Sequence, residues 1–212
     1  MKLARVLCKP HSTLSSPEKN AVVLSLGFFF VFAGFNSAQF FATSKKDAKM
    51  GSFSLFVLYL TFTISSMLVS PITERVQAKY ALFFSSLTYG FYVVSNIDTI
   101  FPSYVVMIAA FIEGIGAAVL WIVEQRLITN LGHEYEQLYG YEQNSQLGYI
   151  NGIFFTGFQF NKCIGNLIAA LIFQFHRSTD FMYSFMSVVV LLGCCIFLLL
   201  QFVHLHLYNY LE

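Results

Sequence analysis

Charge is the scarcest ingredient of this chain. Only 11% of its 212 residues are Asp, Glu, Lys or Arg, against about 25% in soluble domains. So small a fraction cannot clothe a solvated surface, which excludes an ordinary soluble domain and leaves lipid facing most of the exterior. The net charge of +1 excludes the electrostatic footprint of a nucleic-acid-binding protein. The cysteines are few and show no metal-ligand spacing: Cys8 lies in the basic N-terminal segment, and Cys163, Cys194 and Cys195 fall in apolar runs. They read as inert thiols, with Cys8 a weak palmitoylation candidate. There is no Asn-x-Ser/Thr sequon to mark topology, and no HExxH, GxSxG, P-loop or carboxylate cluster. Neither an enzyme nor a cofactor is expected. His133 beside Glu134 completes no triad, and His204 and His206, two residues apart, point to different sides of a helix.

Apolar residues fill what charge leaves. The composition is 57% hydrophobic, with 25 Phe and 12 Tyr. Six long apolar runs dominate: Ala21–Ala42, Ser52–Ile72, Tyr80–Ile97, Tyr104–Glu124, Leu147–Phe175 and Phe181–Leu207. Each approximates the ~20 residues a helix needs to cross a ~30 Å hydrocarbon layer. Barrel strands alternate over about 10 residues, whereas these runs are continuously apolar, so an all-α, multi-pass six-helix bundle is predicted. Tyr80, Tyr104, Tyr149, Tyr208 and Tyr210 lie near run ends, as an interfacial belt requires. The first run is too long for a signal-peptide core and follows a polar tail, residues 1–20, so it reads as an uncleaved span.

Loop charges set the orientation. With a cytoplasmic N-terminus, that side holds Lys2, Arg5, Lys9, Lys19, Arg75, Lys79 and Arg126; the other holds Lys45, Lys46, Lys49 and Arg177. Seven against four favours that assignment, although the Lys45–Lys49 cluster pulls the other way. The longest loop is expected at Gln125–Gln146, a solvated connector or a partner-binding segment. No repeat at 20–50-residue spacing is visible; a three-plus-three repeat would have to be hidden in the hydropathy.

Polar residues inside spans are costly and seldom face lipid. Glu113 and Lys162 stand at depths that differ by only about 6 Å, so a buried ion pair, or an ion-coupling role, is geometrically open. Asn151, Gln159, Lys162 and Asn166 share one stripe of span five, which should face the bundle interior or a water-filled cavity. Ser25 and Asn36 share a face of span one, with Gln39 close by, and Glu113 and Glu124 share one of span four. These faces either line a hydrated cavity or glue helices together. Gly34/Ala38, Gly114/Ala118 and Gly165/Ala169 are small-x-x-x-small pairs, and Gly116 extends the second; all read as close helix contacts.

Six spans amount to half of a major-facilitator-type fold. The join Ser70-Pro71-Ile72-Thr73-Glu74-Arg75-Val76-Gln77-Ala78-Lys79 looks like a degraded form of that superfamily's Gly-x-x-x-Asp-Arg loop, in which Glu74 and Arg75 would latch neighbouring helices. The ordered occurrence of Gly114-Ile115-Gly116-Ala117-Ala118-Val119-Leu120-Trp121, Leu127-Ile128-Thr129-Asn130, Gly152-Ile153-Phe154-Phe155, Gln159 and Gly165-Asn166-Leu167 resembles the uncoordinated-ninety-three-like family. These are ion channel regulatory proteins, a divergent branch of the major facilitator superfamily. The similarity extends loosely from span one to about Phe175. It departs after the Trp, where Glu124-Gln125 and Leu127 stand in place of a Gln-Gly pair and a Tyr. Family members have about twelve spans; six leave open a truncated product, an incomplete chain with a missing second half, or a half-size homodimer.

Two functions follow. The resemblance implies a non-enzymatic regulator or escort of a potassium channel or receptor subunit in the bilayer. The polar residues allow half of a secondary transporter for a small solute or ion, with Asn36, Glu113 and Lys162 around a midplane cavity.

Overall fold

A computed structural model describes residues 14–44, 48–176 and 178–200; Cys8, Lys45, Lys46, Arg177, His204 and His206 lie outside them. The described residues form eight helices and no strand: α1 (Ser16–Ser44), α2 (Ala48–Leu68), α3 (Ser70–Thr73), α4 (Ala78–Ser95), α5 (Ser103–Tyr139), α6 (Leu147–Phe158), α7 (Asn161–His176) and α8 (Thr179–Phe197). Four of them, α1, α2, α5 and α8, are long and apolar enough to cross a membrane. The chain is an all-α, multi-pass membrane protein.

Local chemistry fixes several ends. Glu18 caps the start of α1: its carboxylate accepts from the Ser15 N–H at 2.7 Å and from the Ser15 hydroxyl at 2.6 Å. Pro102 precedes α5 in an extended conformation, and Gly140, at φ +71°, ends that helix in the left-handed region. The Ser178 hydroxyl accepts from the Phe181 N–H at the start of α8.

Two expectations fail here. The loop expected at 125–146 is mostly helix, because Leu127, Ile128, Leu131, Tyr135 and Glu136 continue the buried face of α5 as far as Tyr139. The fifth apolar run is not one helix. It breaks at Gln159–Phe160 into α6 and α7, of 12 and 16 residues.

Taken as six consecutive units, α1, α2, α4, α5, α6–α7 and α8 pack with a partial correspondence between the first three and the last three. The first unit packs on the sixth and the fifth, the fourth on the third and the second, and the third meets the sixth. Exchanging each unit with the one three places away maps these five pairings onto one another, whereas the α1–α4 and α7–α8 contacts have no such counterpart. An aromatic core joins the units: Phe28 meets Trp121, Phe154, Phe158 and Phe197 with ring centroids 5.2–6.0 Å apart.

Small residues set the closest approaches. A Cβ on Gly114 would lie 2.6 Å from the Leu58 carbonyl oxygen and 2.9 Å from the Phe62 nitrogen, so α2 and α5 meet backbone to backbone. Gly165 faces the Ala33 carbonyl of α1, Gly34 faces Val190 and Met186 of α8, and Gly116 faces Thr88 of α4.

Candidate functional site

The break in the fifth unit is held from α1. Asn161, buried at 1% exposure, donates through Nδ2 to the Phe158 carbonyl. Its Oδ1 accepts from Asn36 Nδ2 at 2.6 Å. One asparagine thus satisfies a carbonyl at the end of α6 and ties the start of α7 to α1. Above it, the Ser25 hydroxyl donates to the Phe154 carbonyl at 2.7 Å. Ser25 and Asn36 therefore both serve the broken unit. Gln39 turns elsewhere and donates to the Tyr59 hydroxyl of α2 at 3.0 Å.

Just past this clamp the helix surface becomes polar and uncovered. Gln159, Lys162 and Asn166 are all exposed, while Asn151 is partly buried. Of the expected stripe, these three residues do not face the interior of the described bundle. The physical reason is one-sided packing: among the described residues α7 packs principally on α1 and α8.

Glu113 lies in the opposite situation. It is fully buried on α5, where Oε2 accepts from the Thr88 hydroxyl at 2.9 Å and Oε1 has no hydrogen-bond partner among the described residues. The Tyr89 side chain stands beside it. Glu124, eleven residues on, is also fully buried, with Gln125 donating to one oxygen at 2.8 Å and the other oxygen unbonded. The expected Glu113–Lys162 ion pair does not form. Glu113 points toward α4, and Lys162 is exposed on α7.

At the join between the second and third units, Glu74 reaches a neighbouring helix. Glu74 pairs with Arg126 of α5 at 3.6 Å, and Arg126 further donates to the Ser70 carbonyl at 3.4 Å; Arg75 is exposed. The acid of the loop thus pairs with the fourth unit across the surface.

At 37 residues α5 is about 55 Å long, well beyond a ~30 Å hydrocarbon layer, so its last turns stand outside the membrane. Glu136 organises that end. Its carboxylate accepts the Gln146 N–H at 2.8 Å and the Asn144 N–H at 3.0 Å, and meets His133 Nδ1 at 3.2 Å. Burial pushes its pKa up, but the two amides and His133 together outweigh burial and hold it below the usual carboxylate value. Next to it, Glu18 accepts from the Tyr149 hydroxyl at 2.7 Å, tying α1 to α6.

Asn161, Thr88, Glu136 and the Tyr149–Glu18 bond escaped the sequence reading. Only Glu18 carried a local signal, the Ser-x-x-Glu spacing of a capping box.

The sequence profile described as ion channel regulatory protein UNC-93 matches residues 42–208. Similar proteins include UNC93-like protein 3 of Arabidopsis thaliana, 29% identical over 148 residues, or 69% of this chain and 31% of the relative. The putative potassium channel regulatory protein unc-93 of Caenorhabditis elegans is 33% identical over 161 residues, covering 75% of this chain and 22% of that protein. Protein unc-93 homolog A of Xenopus laevis is 31% identical over 157 residues, covering 73% and 34%. The match thus spans about a third or less of the length of these relatives.

Proposed function

Because the chain belongs to the UNC-93 family of ion channel regulatory proteins, we propose that it is a non-enzymatic membrane regulator or escort that engages a potassium channel or receptor subunit through its helix surface. The observation that carries this reading is the uncovered polar face on the fifth unit, where Gln159, Lys162 and Asn166 are exposed. Polar side chains at membrane depth avoid lipid and seek protein or water, and this bundle does not cover them. The potassium channel enters from the name of the Caenorhabditis elegans relative. The same reading places six crossings in the membrane: α4 sits between α5 and α8, and α6 and α7 together make one crossing. The N-terminus is cytoplasmic by the lysine and arginine count.

Co-expression with a potassium channel tests the reading. Current amplitude that changes with the chain present, together with capture of the channel on the chain, is the expected result. Unchanged current and no capture would refute it.

A second reading, half of a solute or ion transporter, draws on the buried carboxylates Glu113 and Glu124, each with one unbonded oxygen. It expects proteoliposome flux that Glu113→Gln abolishes. Because alternating access needs two halves of this fold, flux also requires a second half or a second copy.

A further inference from the structure

Glu113 is at 0% exposure, so everything that touches it belongs to the bundle described above and its surroundings are complete. The polar groups that face it come from two helices. α4 supplies the Thr88 hydroxyl, with Tyr89 beside it and Tyr92 close by. α2 supplies Tyr59, next to those tyrosines. α1 and α6 also pack on α5, but carry their titratable groups Glu18, Lys19 and Tyr149 at the far end, level with Tyr135. Among the described residues no lysine, arginine or histidine pairs with Glu113. An ionised carboxylate in such a place is tolerable only if donated hydrogens surround it.

Hydrogens are what the site lacks. Thr88 has one hydroxyl hydrogen and two acceptors in reach, the Ser85 carbonyl at 2.7 Å and Glu113 Oε2 at 2.9 Å. The carbonyl can only accept, and it is the nearer. If the hydrogen serves Ser85, Thr88 Oγ1 turns a lone pair to Oε2, and that contact is attractive only when the hydrogen between them belongs to Glu113. If the hydrogen serves Glu113, the carboxylate has one donor for two oxygens, because Oε1 has no partner among the described residues. A proton on Glu113 resolves both cases. Oε2–H donates to Thr88, Thr88 donates to Ser85, and Oε1 becomes a neutral carbonyl oxygen, which costs less to leave unbonded than an oxygen of a carboxylate. A metal ion is no substitute, since it would need about six oxygens where the site offers one carboxylate and the hydroxyls of Thr88 and Tyr89. Gly116 keeps the contact close: any Cβ there would collide with the Thr88 hydroxyl.

We propose that Glu113 is a proton-binding site: the packed bundle holds it as a neutral acid that donates through Oε2 to Thr88 and so fastens α5 to α4. The proton comes from water and returns to water only when α4 and α5 part, which couples it to the packing of the bundle. The proposal draws on neither functional reading above, and its failure leaves the regulator reading untouched.

Infrared spectroscopy of the full chain in phosphatidylcholine vesicles at neutral pH tests it, because a protonated carboxyl and a carboxylate absorb in separate regions. Glu113→Gln keeps the shape of the side chain and a donor for Thr88. It should remove one component of the carboxylic-acid carbonyl band and leave the carboxylate band unchanged. Thr88→Val, close to the parent in volume, should leave that component in place and shift it to higher frequency, as loss of a hydrogen-bond partner requires. Thr88→Ser should restore the parent frequency. Glu124 is present in every sample and cancels in the differences. Loss of carboxylate rather than acid absorption in Glu113→Gln overturns the proposal. So does an acid component whose frequency ignores Thr88→Val, which would mean that the proton is not shared with α4. Should Glu113→Gln not fold, the two Thr88 variants decide the question, since both leave Glu113 in place.

Discussion

The fourth and fifth units carry comparable polar loads in opposite directions. α5 runs unbroken for 37 residues and keeps Glu113 and Glu124 at 0% exposure, whereas the fifth unit breaks into helices of 12 and 16 residues and turns Gln159, Lys162 and Asn166 outward. The difference lies in how many neighbours each has. α5 packs against α2, α4, α1 and α6, so Glu113 and Glu124 are enclosed, each with one carboxylate oxygen bonded. The fifth unit leans mainly on α1, and its Tyr149, Phe154 and Asn161 each bond to that helix. Polarity inside a membrane is therefore structural where neighbours close around it and available for recognition where they do not.

The strongest way to break that contrast is to pry α5 from its neighbours. Gly114→Leu places a branched side chain against the Leu58 carbonyl and the Phe62 nitrogen of α2; backbone cannot move as a side chain does, so a loss of about 3 kcal/mol or more is expected in SDS titration of the bicelle-embedded protein. Gly152→Ala, where an added Cβ meets nothing within 4 Å, is the matched control and should leave the midpoint unchanged. If both variants unfold alike, the glycine contact between α2 and α5 is not what holds the fourth unit in place.

The next test sets one charged residue against the other. Glu113→Ala removes a fully buried side chain, while the Thr88 hydroxyl keeps the Ser85 carbonyl as acceptor, with a cost of about 2–4 kcal/mol from the cavity left behind. Lys162→Met, on an exposed position, should change the stability of the isolated chain by less than about 0.5 kcal/mol. A Lys162→Met variant that loses as much as Glu113→Ala would show that the lysine is bonded within the bundle after all.

How much of this was readable in advance follows the same division. Long apolar runs specify helices because nothing else satisfies the backbone in lipid, and α1, α2 and α8 begin within about five residues of the expected spans. The extension of α5 was present as the inward series Leu127, Leu131 and Tyr135, but Arg126, His133 and Glu134 between them gave it the composition of a loop. The break at Gln159–Phe160 has no proline, and the residue that stabilises it, Asn161, acts through a partner 125 positions away. Depth along a helix can be counted from sequence, which is why Glu113 and Lys162 looked pairable. Direction around the axis depends on which helices are neighbours, and that is a property of the assembled fold.

Outside the membrane the contrast predicts a pH effect. The folded protein holds the Glu136 pKa below its ordinary value of 4.5, so the ionised carboxylate stabilises the fold above the ordinary carboxylate range. That contribution is lost as pH falls through the ordinary value toward the lowered folded one. Glu136→Gln should cost about 1–3 kcal/mol at neutral pH and should flatten this acid limb, measured as the unfolding midpoint between neutral and acidic buffer. An acid limb unchanged by the substitution would mean that the loop from Gly140 to Gln146 is held by other contacts.

The smallest expected effect bears most directly on the fifth unit. Asn36 and Asn161 are bonded at 2.6 Å, and Asn161 also serves the Phe158 carbonyl. Side-chain hydrogen bonds between membrane helices contribute about 0.6 kcal/mol on average, up to about 1.7. A double-mutant cycle of Asn36→Ala and Asn161→Ala should return a coupling in that range. Asn161→Ala alone should cost more than Asn36→Ala alone, because it also strips the Phe158 carbonyl of its donor. Single variants of equal cost and no coupling would mean that the break is imposed by packing of Gly165 against α1, with the asparagines merely accommodated. An unequal pair with measurable coupling would mean that the clamp sets where α7 begins, and with it the position of the lysine at its second residue.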